Sequence, residues 1–135
     1  MPYCRALLIP LILVLETACV SVTTLEGKRL TAPSSEFRAY VEAVFREQNR
    51  VATDLAFALE SATDAGTQDE IESAERELIT ACAPLNEIAT ERRAGRELSR
   101  QRQVDAARSA PQCERATHAA TGALESARRQ TPDGN

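Results

Sequence analysis

Two short segments constrain this chain more than any other. Ala81-Cys82-Ala83-Pro84 and Ala110-Pro111-Gln112-Cys113 carry a cysteine and a proline at the same spacing but in opposite order. A proline inside a helix removes a backbone hydrogen bond and costs about 3 kcal/mol, so two interruptions at matched spacing ask for a common reason. The midpoint of residues 82 and 113 is also that of 84 and 111, and it falls between residues 97 and 98. Just before it, Arg92 and Arg93 followed by Gly95 form the signal of a helix C-terminus. An antiparallel hairpin of helices turning over residues 95–98 therefore brings the two segments side by side and lets both helices bend at one level. One helix running through to Ser109 would instead hold the two cysteines ~40 Å apart, beyond the reach of any bridge.

The rest of the chain reads as helix. A length of 135 residues allows one small domain. Residues are 43% hydrophobic but only 4% aromatic, with no Trp, and a core of Ala, Leu, Val and Ile suits close-packed helices. A first helix is expected over 35–63, with Ser34 or Ser35 as N-cap and Glu36 in the first turn. Phe37, Val41, Val44, Gln48, Val51, Leu55, Ala58 and Ala62 repeat in threes and fours along it. Gly66 reads as the left-handed stop, and Thr67 with Glu70 as a capping box opening a second helix. That helix carries Ile71, Ala74, Leu78, Ala81, Leu85 and Ile88 inward. A third, over 98–129, offers the narrow stripe Ala106, Ala110, Cys113, Thr117, Ala120, Leu124 and Ala127. The fold class expected is all-α, an antiparallel three-helix bundle (up-down-up) over 34–130. Residues 19–33 show no helical period and read as a flexible tether of up to ~45 Å, and 131–135 as a disordered tail.

At the N-terminus one basic residue, Arg5, precedes the apolar run Ala6–Leu15 and then small residues, the layout of a signal peptide over 1–18. As a helix that run reaches only ~15 Å, half the hydrocarbon thickness a permanent span would need. Thr17-Ala18-Cys19 resembles the end of the lipobox of bacterial lipoproteins, with Glu16 standing where that family has an apolar residue. The resemblance covers about the first 19 residues. It implies cleavage before Cys19, acylation of that cysteine with palmitate-type chains and, with Val20 following, an outer-membrane address facing the periplasm. The other reading is a cut nearby that leaves Cys19 as a spare thiol. If Cys4 is removed and Cys19 takes the lipid, Cys82 and Cys113 remain as an even pair in an oxidising compartment. A disulfide between them would link helices 2 and 3.

Nothing in the sequence selects a chemistry. No Cys-x-x-Cys pair, His-Glu-x-x-His helix, Gly-rich phosphate loop or nucleophile elbow occurs, and the single histidine, His118, reads as a surface residue. No catalytic residue, metal or cofactor is expected, and the chain reads as something other than an enzyme. A net charge of −4 argues against nucleic acid as a partner. Charge is uneven, however. Residues 36–91 carry thirteen acids and four bases, and residues 92–129 nine bases and four acids. Arg92, Arg93, Arg96, Arg100 and Arg102 gather at the second turn, either complementing the carbonyl end of helix 2 and pairing with helix 1 acids such as Glu36 and Glu42, or facing anionic head groups or another envelope polyanion. The expectation is a small envelope lipoprotein, lipid-anchored, with a structural or adaptor role. The alternatives are a periplasmic binding or inhibitor protein acting on an envelope enzyme, and a freely secreted helical protein. Partners would be the membrane through the anchor, anionic head groups, an envelope protein, or a second copy that extends the helices into a coiled-coil-like dimer.

Overall fold

The computed structural model describes residues 19–130, so the signal peptide expected over 1–18 and the tail expected over 131–135 lie outside the described residues. Its elements are β1 (Val20–Thr23), β2 (Arg29–Ala32), α1 (Ser35–Ser61), α2 (Ala65–Arg93) and α3 (Arg100–Gln130). The helices form the antiparallel three-helix bundle with a disulfide between α2 and α3, and a small hairpin is added at the N-terminus.

Ser34 begins α1 as expected, its Oγ accepting from the Phe37 N–H at 3.1 Å. Of the α1 stripe, Phe37, Val44, Gln48, Val51 and Leu55 are buried. Gln48 is the polar member and is only 3% exposed. Its Nε2 donates to Asn86 Oδ1 at 2.8 Å, so the buried amide is paired across the α1–α2 contact rather than stranded.

The α1–α2 junction differs from the expectation. Asp64 caps α2, with Oδ1 accepting from the Thr67 N–H at 2.8 Å, and Gly66 lies within the first helical turn instead of ending α1. Aspartate brings a full negative charge to the positive end of the helix, which a threonine hydroxyl cannot. Thr67 is buried instead, and its hydroxyl donates to Gln130 of α3 at 3.3 Å. At the other end α2 stops as the sequence indicates. Gly95 takes φ +68, its N–H donates to the Arg92 carbonyl at 3.1 Å, and the Arg96 N–H donates to the Glu91 carbonyl at 3.0 Å. Both bonds are those of a glycine-terminated helix, and they satisfy carbonyls that would otherwise lack partners.

All seven residues of the expected α3 stripe are buried. The α2–α3 contact is the most extensive between any two elements. It closes on Cys82 and Cys113, whose Cα atoms are 4.6 Å apart and whose sulfurs are bonded. Pro84 and Pro111 lie two residues from the bridge on either side, and both helices continue through them.

The segment 19–33 is not a tether. Residues 20–23 and 29–32 pair antiparallel in the register Val20↔Ala32, Ser21↔Thr31, Val22↔Leu30, Thr23↔Arg29. Gly27 at φ +84 makes the turn, its N–H donating to the Thr24 carbonyl at 2.9 Å. The physical reason is a period of two rather than 3.6. Val20 and Val22 alternate with exposed residues, and with Leu30 they bury against Phe37 of α1 and Ala107 of α3.

The bridge generates a direct test. Replacing Cys82 and Cys113 together by alanine should lower the unfolding free energy by about 3–4 kcal/mol, the loop-closure value for a link of this length. Chemical denaturation of the oxidised protein and the double variant measures it. An unchanged midpoint would mean that packing alone holds α3.

Candidate functional site

Cys19 is exposed and is the free cysteine among the described residues. It directly precedes Val20, which is 5% exposed and paired with Ala32. Cys19 therefore sits at the open mouth of the hairpin beside Pro33, two residues before α1 begins. Because α2 runs antiparallel to α1, it ends where α1 starts, and α3 begins there too. The mouth of the hairpin, the α1 N-terminus and the α2–α3 turn thus share one end of the bundle.

Two further observations fix the hairpin's direction. Its turn lies beside Glu114, because the Leu25 N–H donates to Glu114 Oε2 at 2.7 Å. Its strands lie in the cluster that includes Val104 and Ala107. Ten helical residues from Glu114 back to Val104 cover ~15 Å, about what a short strand spans. The hairpin accordingly runs along α3 from its N-terminal turns towards the middle.

Tyr40 completes this attachment by donating its hydroxyl to the same Glu114 oxygen at 2.8 Å. One carboxylate joins β1–β2, α1 and α3. Burial first, and then the Glu114 hydrogen bond, raise the Tyr40 phenol well above its ordinary range.

The five arginines are brought to one end but are not equivalent. Arg96 makes a two-pronged pair with Glu91 (Nε–Oε2 2.6 Å, Nη2–Oε1 2.7 Å). Its hydrogen bond holds the Glu91 carboxyl below the usual range. Arg102 pairs with Glu87 at 2.9 Å. Both partners lie on α2, not on helix 1 as the sequence suggested, because Glu36 is taken by Lys28 of the hairpin at 3.6 Å. Arg92 and Arg93 occupy the last turn of α2, exposed, and neither is ion-paired among the described residues. Arg100 opens α3, also exposed.

Elsewhere the surface offers little enclosure. An open groove of about 540 Å³ lies between α2 and α3, lined by Arg76, Glu77, Thr80, Gln112 and Arg115 over an alanine floor. His118 is exposed on α3, and among the described residues no group of acids, histidines or cysteines is arranged to hold a metal ion. No helix among them is long and apolar enough to cross a membrane. No protein family, curated protein or solved structure matches this chain.

The Glu114 junction was missed in the sequence. The alternation Val20-Ser21-Val22-Thr23 ahead of Glu26-Gly27 was the available signal for the hairpin; nothing local marks Glu114 as its receptor. Tyr40 yields a test of the junction. Unfolded, a tyrosine ionises near pH ~10, whereas the folded protein keeps the proton on Tyr40 to higher pH. The native state then binds more protons than the unfolded one, so stability should be intact below pH ~10 and fall as pH rises beyond it. In protein beginning at Cys19, Tyr40 is the one tyrosine, so tyrosinate absorbance reports it alone. Denaturation across that range should show the loss in the parent and not in Tyr40→Phe.

Proposed function

We propose that the chain is an exported lipoprotein of the bacterial envelope, acylated at Cys19 and held at the outer membrane facing the periplasm. Its role is structural or adaptor-like: a small helical module presented at the membrane, not a catalyst. The observation that carries the reading is the position of Cys19, an exposed thiol directly ahead of β1 at the mouth of the docked hairpin. The two other cysteines of the body are already joined to each other, which suits an oxidising compartment and leaves Cys19 without a structural use.

Among the described residues the groove between α2 and α3 lies open to solvent, which favours a surface role over a substrate pocket. A protein partner is favoured by large apolar side chains left in solvent on the helices, Phe57 at 66% exposure on α1 and Ile79 at 57% on α2, with Leu25 of the hairpin turn a third at 46%. In a binding or inhibitor protein these residues would enter the partner. Replacing each by serine should then abolish a stoichiometric complex while leaving the fold intact.

The anchor is tested by intact mass under non-reducing conditions. The expected species begins at Cys19, carries acyl chains, and lacks two hydrogens for the Cys82–Cys113 bridge. Processing should stop in Cys19→Ser and in cells treated with globomycin. A mature protein that begins elsewhere, with Cys19 removed or unmodified, would leave the freely secreted reading in its place.

A further inference from the structure

We propose that the end of the bundle bearing Arg92 and Arg93 lies flush on the head groups of an anionic bilayer, with these two guanidinium groups on lipid phosphates. The inference rests on the acylated-Cys19 reading and adds to it an orientation and a ligand.

The first step is the lack of slack. A free segment of residues 19–33 would let the bundle stand ~45 Å from its anchor, at any angle. The hairpin consumes that segment. Val20 is 5% exposed and Val22 6%, and their strand is fastened to α3 and α1 through Leu25, Glu114 and Tyr40. An acyl chain on Cys19 would therefore hold the mouth of the hairpin against the head groups, and with it everything at that end.

The second step is what the end carries. Three of the last four carbonyls of α2 already accept backbone N–H groups, Thr90 from Ala94, Arg92 from Gly95 and Glu91 from Arg96. Arg92 and Arg93 are thus not needed to cap the helix, and they are exposed and without ion pairs among the described residues. Their neighbours Arg96 and Arg102 are neutralised by Glu91 and Glu87. Arg38 in the first turns of α1, also exposed, adds a positive charge at this end, where Glu36 and Glu97 are the exposed acids of the α1 start and the turn. At the far end, by contrast, lie Glu60, Asp64, Asp69, Glu70 and Glu72 around the α1–α2 junction. These five acids outnumber Arg128 and Arg129 at the same end, so an anionic plane favours the α2–α3 turn over the α1–α2 junction.

The third step is the chemistry of the group. Guanidinium is planar and always charged, and it binds phosphate oxygens through paired N–H donors. On a convex, exposed surface such contacts to a single free phosphate are weak. They accumulate only when several phosphates are held in one plane, as in a leaflet. The occupant is therefore the bilayer surface and not a soluble anion.

The test uses the mature chain carrying Cys19→Ser, so that no acyl chain contributes. It is mixed with vesicles of phosphatidylcholine alone, or of phosphatidylcholine and phosphatidylglycerol in equal parts. Binding is expected to the mixed vesicles only, and to fall as salt is raised. Arg92→Gln/Arg93→Gln should weaken it by about fivefold per arginine, roughly 30-fold together. Arg128→Gln/Arg129→Gln removes the same charge from the opposite end and should leave it nearly unchanged. Equal binding to both vesicle types would overturn the proposal. So would an equal loss in the two double variants, an undiminished Arg92/Arg93 variant, or full displacement by millimolar inorganic phosphate. Because this protein is never acylated, these outcomes are independent of the mass measurement that tests the anchor.

Discussion

The Cys82–Cys113 bridge demands that two helices approach more closely than large side chains allow, and the composition of the bundle follows from that demand. Around the bridge α3 buries alanine at 106, 110, 120 and 127. Alanine permits the approach but removes little apolar area from water. The bulk of the core comes from elsewhere: Val44, Val51 and Leu55 of α1 and Ile71, Leu78 and Leu85 of α2. Helix α1 thus works as the apolar wedge laid over a covalently closed pair. The low aromatic content is consistent with this division, since a ring in the α2–α3 seam would force the Cα atoms of the bridge apart.

The hairpin is joined by a different kind of interaction. Three apolar residues, Val20, Val22 and Leu30, seat it on Phe37 and Ala107, but apolar burial has no directional preference. Direction comes from Glu114 Oε2, which accepts the Leu25 N–H and the Tyr40 O–H together. A shift of one residue in the hairpin would turn Val20 and Val22 to solvent and carry the Leu25 amide away from its acceptor. Apolar burial supplies the attachment and one carboxylate oxygen supplies the register.

Features that depend on local chemistry were readable from the chain. Ser34 as cap, Gly95 as stop and the threes-and-fours stripes of all three helices need only neighbouring residues to be recognised, and the mirrored cysteine–proline pairs located the turn. Features decided by competition or by distant partners were not. Asp64 and Thr67 both have capping chemistry, and the choice falls to charge at the helix end. Gln48 lies on the stripe at the right spacing, yet its acceptor Asn86 is on another helix. The strands of the hairpin are four residues each, too short for alternation to stand out before the α1–α3 groove that receives them is known. The arginines were gathered correctly by the turn, but their sorting depends on which acids face them. Glu91 and Glu87 are within reach and Glu36 is occupied by Lys28.

That sorting matters because an anchor attached to a docked strand differs physically from one attached to a loose tail. A tail transmits proximity only: the body samples all orientations, and any charged face contributes in proportion to the time it spends near the surface. A strand fixed to the body transmits orientation as well, so the residues around the attachment point meet the surface together. With Cys19 at the hairpin mouth, those residues are the α1 N-terminus and the α2–α3 turn, where Arg92 and Arg93 make no ion pair among the described residues and three of the last four carbonyls of α2 accept backbone amides. The faces that carry Phe57 and Ile79 lie along the helices, away from that end. The same hairpin that fills the space between α1 and α3 thus separates an end suited to a charged plane from flanks left open to another protein.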